Sequence, residues 1–266
     1  MSISKFVEGI IMPKEKDVCG YTMIGNVLLN ADNVSIKTYE TPNYVVEYVR
    51  GMRQRTCDRV ITVPYRVIDV PYGTTVIAAN ALANSLCTSL SLPNTLRRIS
   101  RGAFRNIDIN DLYIPEGVEE IGDYAFFGCK KLKTIRFAKK CKLKKIGRGA
   151  FANTSLINVT IPSTVMEIGA DAFNMNNCLE TFRVGEGKPV HFEMNGSGNL
   201  GINSSNLFFL DLRRIEEIPD AALDKTMGCI NKKRGQYTLL INPSSVSSSY
   251  KGQLASDPDW RAKFQK

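Results

Sequence analysis

The feature that most constrains this chain is a repeat. Four segments carry Ile-x-x-x-Ala-Phe: Ile99 to Phe104, Ile121 to Phe126, Ile146 to Phe151 and Ile168 to Phe173. Ile77 to Leu82 is a fifth copy with Leu for Phe, and Ile218 to Leu223 reads as a sixth. The alanines fall at 81, 103, 125, 150 and 172, in steps of 22, 22, 25 and 22 residues. An aliphatic-Pro pair recurs in phase, at Val70-Pro71, Leu92-Pro93, Ile114-Pro115 and Ile161-Pro162. Short alternating stretches precede it, as in Leu90-Ser-Leu92, Leu112-Tyr-Ile114 and Val159-Thr-Ile161. Such alternation predicts a short half-buried strand, which the proline ends by removing a ladder donor. The Ile-x-x-x-Ala-Phe piece has helical spacing but is too short for a regular helix, so a single helical or 3-10 turn is expected. No unit of this kind can bury its apolar face alone, and the units must stack into one continuous core.

Written out, Leu112-x-Ile114-Pro115-x-x-Val118-x-x-Ile121-Gly122-x-x-Ala125-Phe126-x-x-Cys129-x-x-Leu132-x-x-Ile135 resembles the BspA-type leucine-rich repeat. Ile161-Pro162-x-x-Val165-x-x-Ile168-Gly169-x-x-Ala172-Phe173 carries the same pattern, and the likeness covers roughly residues 66 to 243. Tyr21 to Asp32 is similar to the hairpin often interleaved with such repeats, and Ile241 to Lys251 to their closing segment. The resemblance implies a right-handed leucine-rich-repeat solenoid, with a parallel β-sheet on one face and short helical or 3-10 turns on the other. It implies binding or adhesion as the role, commonly on bacterial surfaces.

Composition narrows the chemistry. The 266 residues include one histidine, His191. General acid–base chemistry near neutral pH falls most often to histidine, so a non-enzymatic protein without cofactor or metal is expected. Seven cysteines lack any CxxC pair and read as buried thiols of a reducing compartment. The N-terminus has no secretory h-region and no apolar run reaches transmembrane length. The chain therefore reads as cytoplasmic when synthesised. Reaching a virion or a cell surface would need a non-standard route.

If the aliphatic residues of each strand point inward, two outward columns follow from the strand pleat. One comprises Asp69, Ser91, Tyr113, Arg136, Thr160, Arg183 and Asp211. The other comprises Ser89, Asp111, Thr134, Asn158, Thr181 and Phe209. Repeat proteins recognise partners on such extended faces, and Tyr113, Arg136, Arg183 and Phe209 are residue types favoured as anchors. The alternative is a solvated face without a partner.

The net charge of +9 has a local source. Lys130, Lys131, Lys133, Arg136, Lys139, Lys140, Lys142, Lys144, Lys145 and Arg148 span 19 residues without an acid. This basic edge, with Arg97, Arg98, Arg101 and Arg105 nearby, is either an electrostatic footprint for an anionic partner or a solvated turn. Three other motifs carry less. Gly196 to Gly201 is formally GxGxxG but reads as loop followed by strand, not as the start of a helix. Gly185 to Lys188 lacks Walker spacing, and His191 has no partner motif.

Residues 1–65 are expected to form a β-rich N-terminal cap or attachment region, with strands near Tyr44–Val49 and Val60–Val63. Residues 66–243 hold the repeats, with a degenerate unit and loop insertion at about 185–206, and 244–266 form an amphipathic C-terminal cap. The expected function is a binding or adhesion module holding a protein, or less readily a glycan or nucleic acid. The competing expectation is a structural subunit of a virion or other large assembly that oligomerises through its terminal caps.

Overall fold

The computed structural model describes residues 22–24, 27–30, 67–184, 186–228, 237–249 and 260–264. The expected strands at Tyr44–Val49 and Val60–Val63 lie outside the described residues, as do Tyr250 and Leu254 of the expected C-terminal cap. The described strands are β1 (Thr22–Ile24), β2 (Val27–Asn30), β3 (Val67–Asp69), β4 (Val76–Ile77), β5 (Ser89–Ser91), β6 (Arg98–Ile99), β7 (Asp111–Ile114), β8 (Glu120–Ile121) and β9 (Thr134–Phe137). They continue with β10 (Lys145–Ile146), β11 (Asn158–Thr160), β12 (Glu167–Ile168), β13 (Thr181–Arg183), β14 (His191–Phe192), β15 (Phe209–Asp211), β16 (Tyr237–Ile241) and β17 (Trp260–Phe264). One helix, α1 (Asp220–Gly228), lies between β15 and β16.

Each repeat places one strand in each of two sheets. The first sheet runs β7-β9-β11-β13-β15-β16-β17, and β3 pairs with β5 in the same phase of the repeat. Every pairing in this series is parallel. The second runs β2-β4-β6-β8-β10-β12-β14, also parallel, and the antiparallel strand β1 closes its N-terminal end. Thus β1 and β2, from the Tyr21–Asp32 stretch, pair antiparallel and β2 joins the solenoid. At the other end the sheet continues through β17 rather than stopping at residue 243.

The second sheet occupies the start of the Ile-x-x-x-Ala-Phe motif. Its isoleucines are in-register neighbours, Ile99 beside Ile121 and Ile146 beside Ile168, all turned into the core. Beyond them the chain makes consecutive turns with the i→i+3 bonds of 3-10 geometry: Ala103 N donates to Ser100 O at 3.2 Å and Arg105 N to Gly102 O at 3.0 Å. The alternate amides, Gly102, Phe104 and Asn106, donate instead to carbonyls of Asp123, Ala125 and Phe127 on the next coil. Every amide from Gly102 to Asn106 is thereby satisfied. Two left-handed residues per coil, such as Gly102 and Asn106 (φ 62° and 58°), keep the turns from winding into a helix. Only the sixth copy, Ile218 to Leu223, leads into a true helix, α1.

Close coil-to-coil approach explains the Ile-Gly pair. A Cβ on Gly147 would lie 2.5 Å from Asp123 N, and one on Gly169 2.5 Å from Arg148 N. The motif phenylalanines stack along the axis: Phe104 on Phe126, Phe126 on Phe151 and Phe151 on Phe173, with centroids 5.1, 5.3 and 5.6 Å apart. Phe182 ends the column edge-on to Phe173 at 5.1 Å. Such pairs add about 0.5–1.5 kcal/mol each beyond the area they bury.

The degenerate unit after residue 185 is a full coil. It contributes β14 to one sheet and β15 to the other, and its Asn-rich corner folds around Asn195, whose side chain accepts from the amides of Ser197 and Asn199. Gly196 to Gly201 forms this corner and does not open a helix. Arg214 locks the coil from inside. Its side chain donates to five backbone carbonyls, those of Pro162, Ser163, Val165, Val184 and Lys188, at 2.6 to 3.1 Å. The residue is 6% exposed, and desolvation pulls its pKa down.

Candidate binding surface

The outward columns of the first sheet stand largely as the alternation requires. In β7, Asp111 and Tyr113 are exposed while Leu112 and Ile114 are buried, and β11 exposes Asn158 and Thr160 around buried Val159. Register brings Tyr113 opposite Arg136, Thr160 opposite Arg183, and Thr134 between Asp111 and Asn158. At one end Asp69 lies beside Ser91. Tyr113 is 50% exposed. Two pairs of expected residues touch. The Arg183 guanidinium lies over the Phe209 ring, 4.3 Å from its centroid, and Thr181 Oγ1 donates to Asn158 Oδ1 at 2.7 Å.

Asp211 departs from the expected face. It is 3% exposed because Arg213, two residues on, folds back over it, with Nη2 to Oδ2 at 2.7 Å and Nε to Oδ1 at 2.9 Å. The carboxylate holds the Arg213 pKa up. Asp211 thus serves the end of the sheet and is not available to a partner.

The basic stretch is not an edge. The chain from Lys130 to Arg148 runs through the start of β9, along it, round the next corner and across β10, so its cations form a belt around one coil. Several are neutralised from the preceding or following coil. Lys131 pairs with Asp108 at 2.9 Å, Lys144 with Glu119 at 3.1 Å and Lys145 with Glu167 at 2.9 Å. On the second sheet the outward column alternates in sign, Arg98, Glu120, Lys145 and Glu167 being successive register partners. Arg98 reaches Glu120 at 3.2 Å. Glu167 raises the Lys145 pKa, and Lys144 lowers that of Glu119. Arg101 and Arg105 lie over the rings of Tyr124 and Phe127 at 5.8 and 5.2 Å. The outward strand positions of the second sheet thus pair with one another, whereas exposed Lys130, Lys133, Arg136, Lys139, Lys140, Lys142 and Arg148 of the basic run have no ion-pair partner among the described residues. Spacing alone could not separate these two sets, because the paired acids lie about one coil away in sequence.

His191 is exposed on β14, in register with Glu167. No group of three or more His, Cys, Asp or Glu among the described residues is placed to hold a metal ion. Cys87, Cys129 and Cys141 are buried free thiols and Cys178 is an exposed one. Cys19, Cys57 and Cys229 lie outside the described residues. No helix among the described residues is long and apolar enough to cross a membrane.

Two stacked parallel sheets, a phenylalanine column and a coil of about 22 residues define a leucine-rich-repeat solenoid. Residues 64–186 match the model of the BspA type leucine rich repeat region, in six copies. No curated protein matches the sequence. Among solved structures, the pneumococcal vaccine antigen PcpA is similar at 23% identity and a TM-score of 0.50, over 69% of this chain and 47% of that one. This chain thus spans about half the length of that protein. A leucine rich cell surface protein from Faecalibacterium prausnitzii is similar at 17% identity and a TM-score of 0.37, over 75% of this chain and 60% of that one.

Proposed function

We propose that the chain is a binding module that holds a macromolecular partner on the outward face of its first sheet. The observation that carries this reading is the contrast between the two sheets. The outward strand residues of the second pair their charges with one another, while the first presents Tyr113, Arg136 and Arg183 among short hydroxyl and amide side chains on a continuous parallel surface. A rigid, repeated face of this kind suits recognition of an extended partner, and Tyr and Arg at its middle are residue types that dominate interface energies. The repeat family matched by residues 64–186 favours adhesion as the setting. Capture from a host-cell or matrix extract with a Tyr113→Ala, Arg136→Ala variant beside the wild type tests this. Loss of one specific partner with the variant is the expected result, and unchanged capture overturns the reading.

The competing reading, an assembly subunit, is favoured by β17, which ends the first sheet with no further described strand beyond it. An unpaired strand is a template for a second chain. Light scattering across a concentration series separates the readings, since a subunit of this kind self-associates without any other component.

A further inference from the structure

We infer that the unpaired cations along β9 bind an anionic polysaccharide laid across the first sheet. The inference rests on the sheet-face reading above and names the ligand class. Lys133, Arg136, Lys139 and Lys140 are all exposed and follow the chain along β9 and into its corner. From Lys133 to Ala138 the strand and its flanks span roughly 16 Å at the rise of an extended chain, enough for several sugar units. None of the four has an ion-pair partner among the described residues, nor do Lys130, Lys142 and Arg148 of the same run, whereas Lys131, Lys144 and Lys145 are paired. The acids on the preceding coil, Asp111 and Glu116, form no ion pair with them. Arg136 on β9, Lys133 just before it and Lys139 and Lys140 in the turn after it bring four like charges together, and an anionic chain relieves their repulsion.

The surroundings of the stripe select a sugar polymer over other polyanions. The next coil offers Asn158 and Thr160, neutral side chains that donate and accept hydrogen bonds, in the phase of Thr134 and Arg136. A protein partner would want an apolar patch at the centre of its footprint, whereas the apolar rings of this sheet are scattered, with Tyr113 beside these cations, Phe209 under the Arg183 guanidinium and exposed Phe208 next to β15. Single-stranded nucleic acid would want a series of stacking platforms, and of the outward rings Tyr113 is exposed while Phe209 lies under the Arg183 guanidinium. A hydroxylated chain bearing sulfate or carboxylate meets both the charges and the amide and hydroxyl groups.

The test measures a heparin oligosaccharide, polyglutamate and a single-stranded DNA of matched charge against three proteins at physiological salt. These are the wild type, Lys133→Gln/Lys139→Gln/Lys140→Gln, and the charge-matched Arg98→Gln/Lys144→Gln/Lys145→Gln, each first shown to melt as the wild type does. Should the first variant melt early, Arg136→Gln alone replaces it. Heparin is expected to bind the wild type more tightly than the other two polymers. The β9 variant should weaken it about tenfold, and the charge-matched variant no more than about twofold. Equal losses in both variants, no heparin binding, or tighter binding of polyglutamate or DNA each overturn the inference. If heparin fails while a protein partner is still captured through Tyr113 and Arg136, the sheet-face reading stands without it.

Discussion

Arg214 shows how much one residue can organise in a solenoid whose units are otherwise local. Its guanidinium joins carbonyls up to 52 positions away in sequence and holds the irregular coil against the regular ones. Replacing it by Met leaves five acceptors without that donor set, at a cost of at least about 3 kcal/mol, and Arg214→Lys should recover only part. Urea unfolding measures both, and a loss below about 1 kcal/mol for Met would show that the bonds are incidental. The buried thiols make a second residue-scale claim. Burial pushes Cys129 up to about 12 and Cys87 to about 11. A raised thiol contributes stability that is complete below its unfolded value, near 9.0, and is lost as pH rises toward the folded one. Stability in reducing urea should therefore fall above about pH 9, by up to about 1.4 kcal/mol per pH unit and thiol. Cys129→Ala should flatten that slope while lowering the plateau. An unchanged slope contradicts the assignment.

Among the elements, the first-sheet strands were legible because Leu-x-Ile followed by Pro states both the alternation and where it stops. The second sheet was not. A two-residue strand such as Lys145–Ile146 shows no alternation, and the helical spacing of Ile-x-x-x-Ala-Phe masks it. What the spacing did carry was the stack of buried rings. Phe126 sits between Phe104 and Phe151 in that column, so Phe126→Ala should cost about 3–5 kcal/mol. Tyr113→Ala, on the solvent side of the same region, should cost less than about 1 kcal/mol. Thermal unfolding of the two variants checks the contrast, and equal losses would mean that the column does not carry the core.

At the scale of the whole molecule, the repeat period foretold a solenoid, and its phase placed the outward columns with the exception of Asp211. That exception came from a partner two residues away, Arg213, whose folding back no spacing announces. The basic run was legible as composition but not as geometry. Its residues wrap a coil, and acids about one coil away neutralise some and leave others bare. Under the proposed function, recognition belongs to the first sheet and not to the second. The most direct measurement is the affinity of a captured partner for two double variants, Tyr113→Ala/Arg136→Ala on the first sheet and Arg98→Ala/Lys145→Ala on the second. A loss of about tenfold or more is expected for the first pair and less than about twofold for the second. A larger loss from the second pair would contradict it.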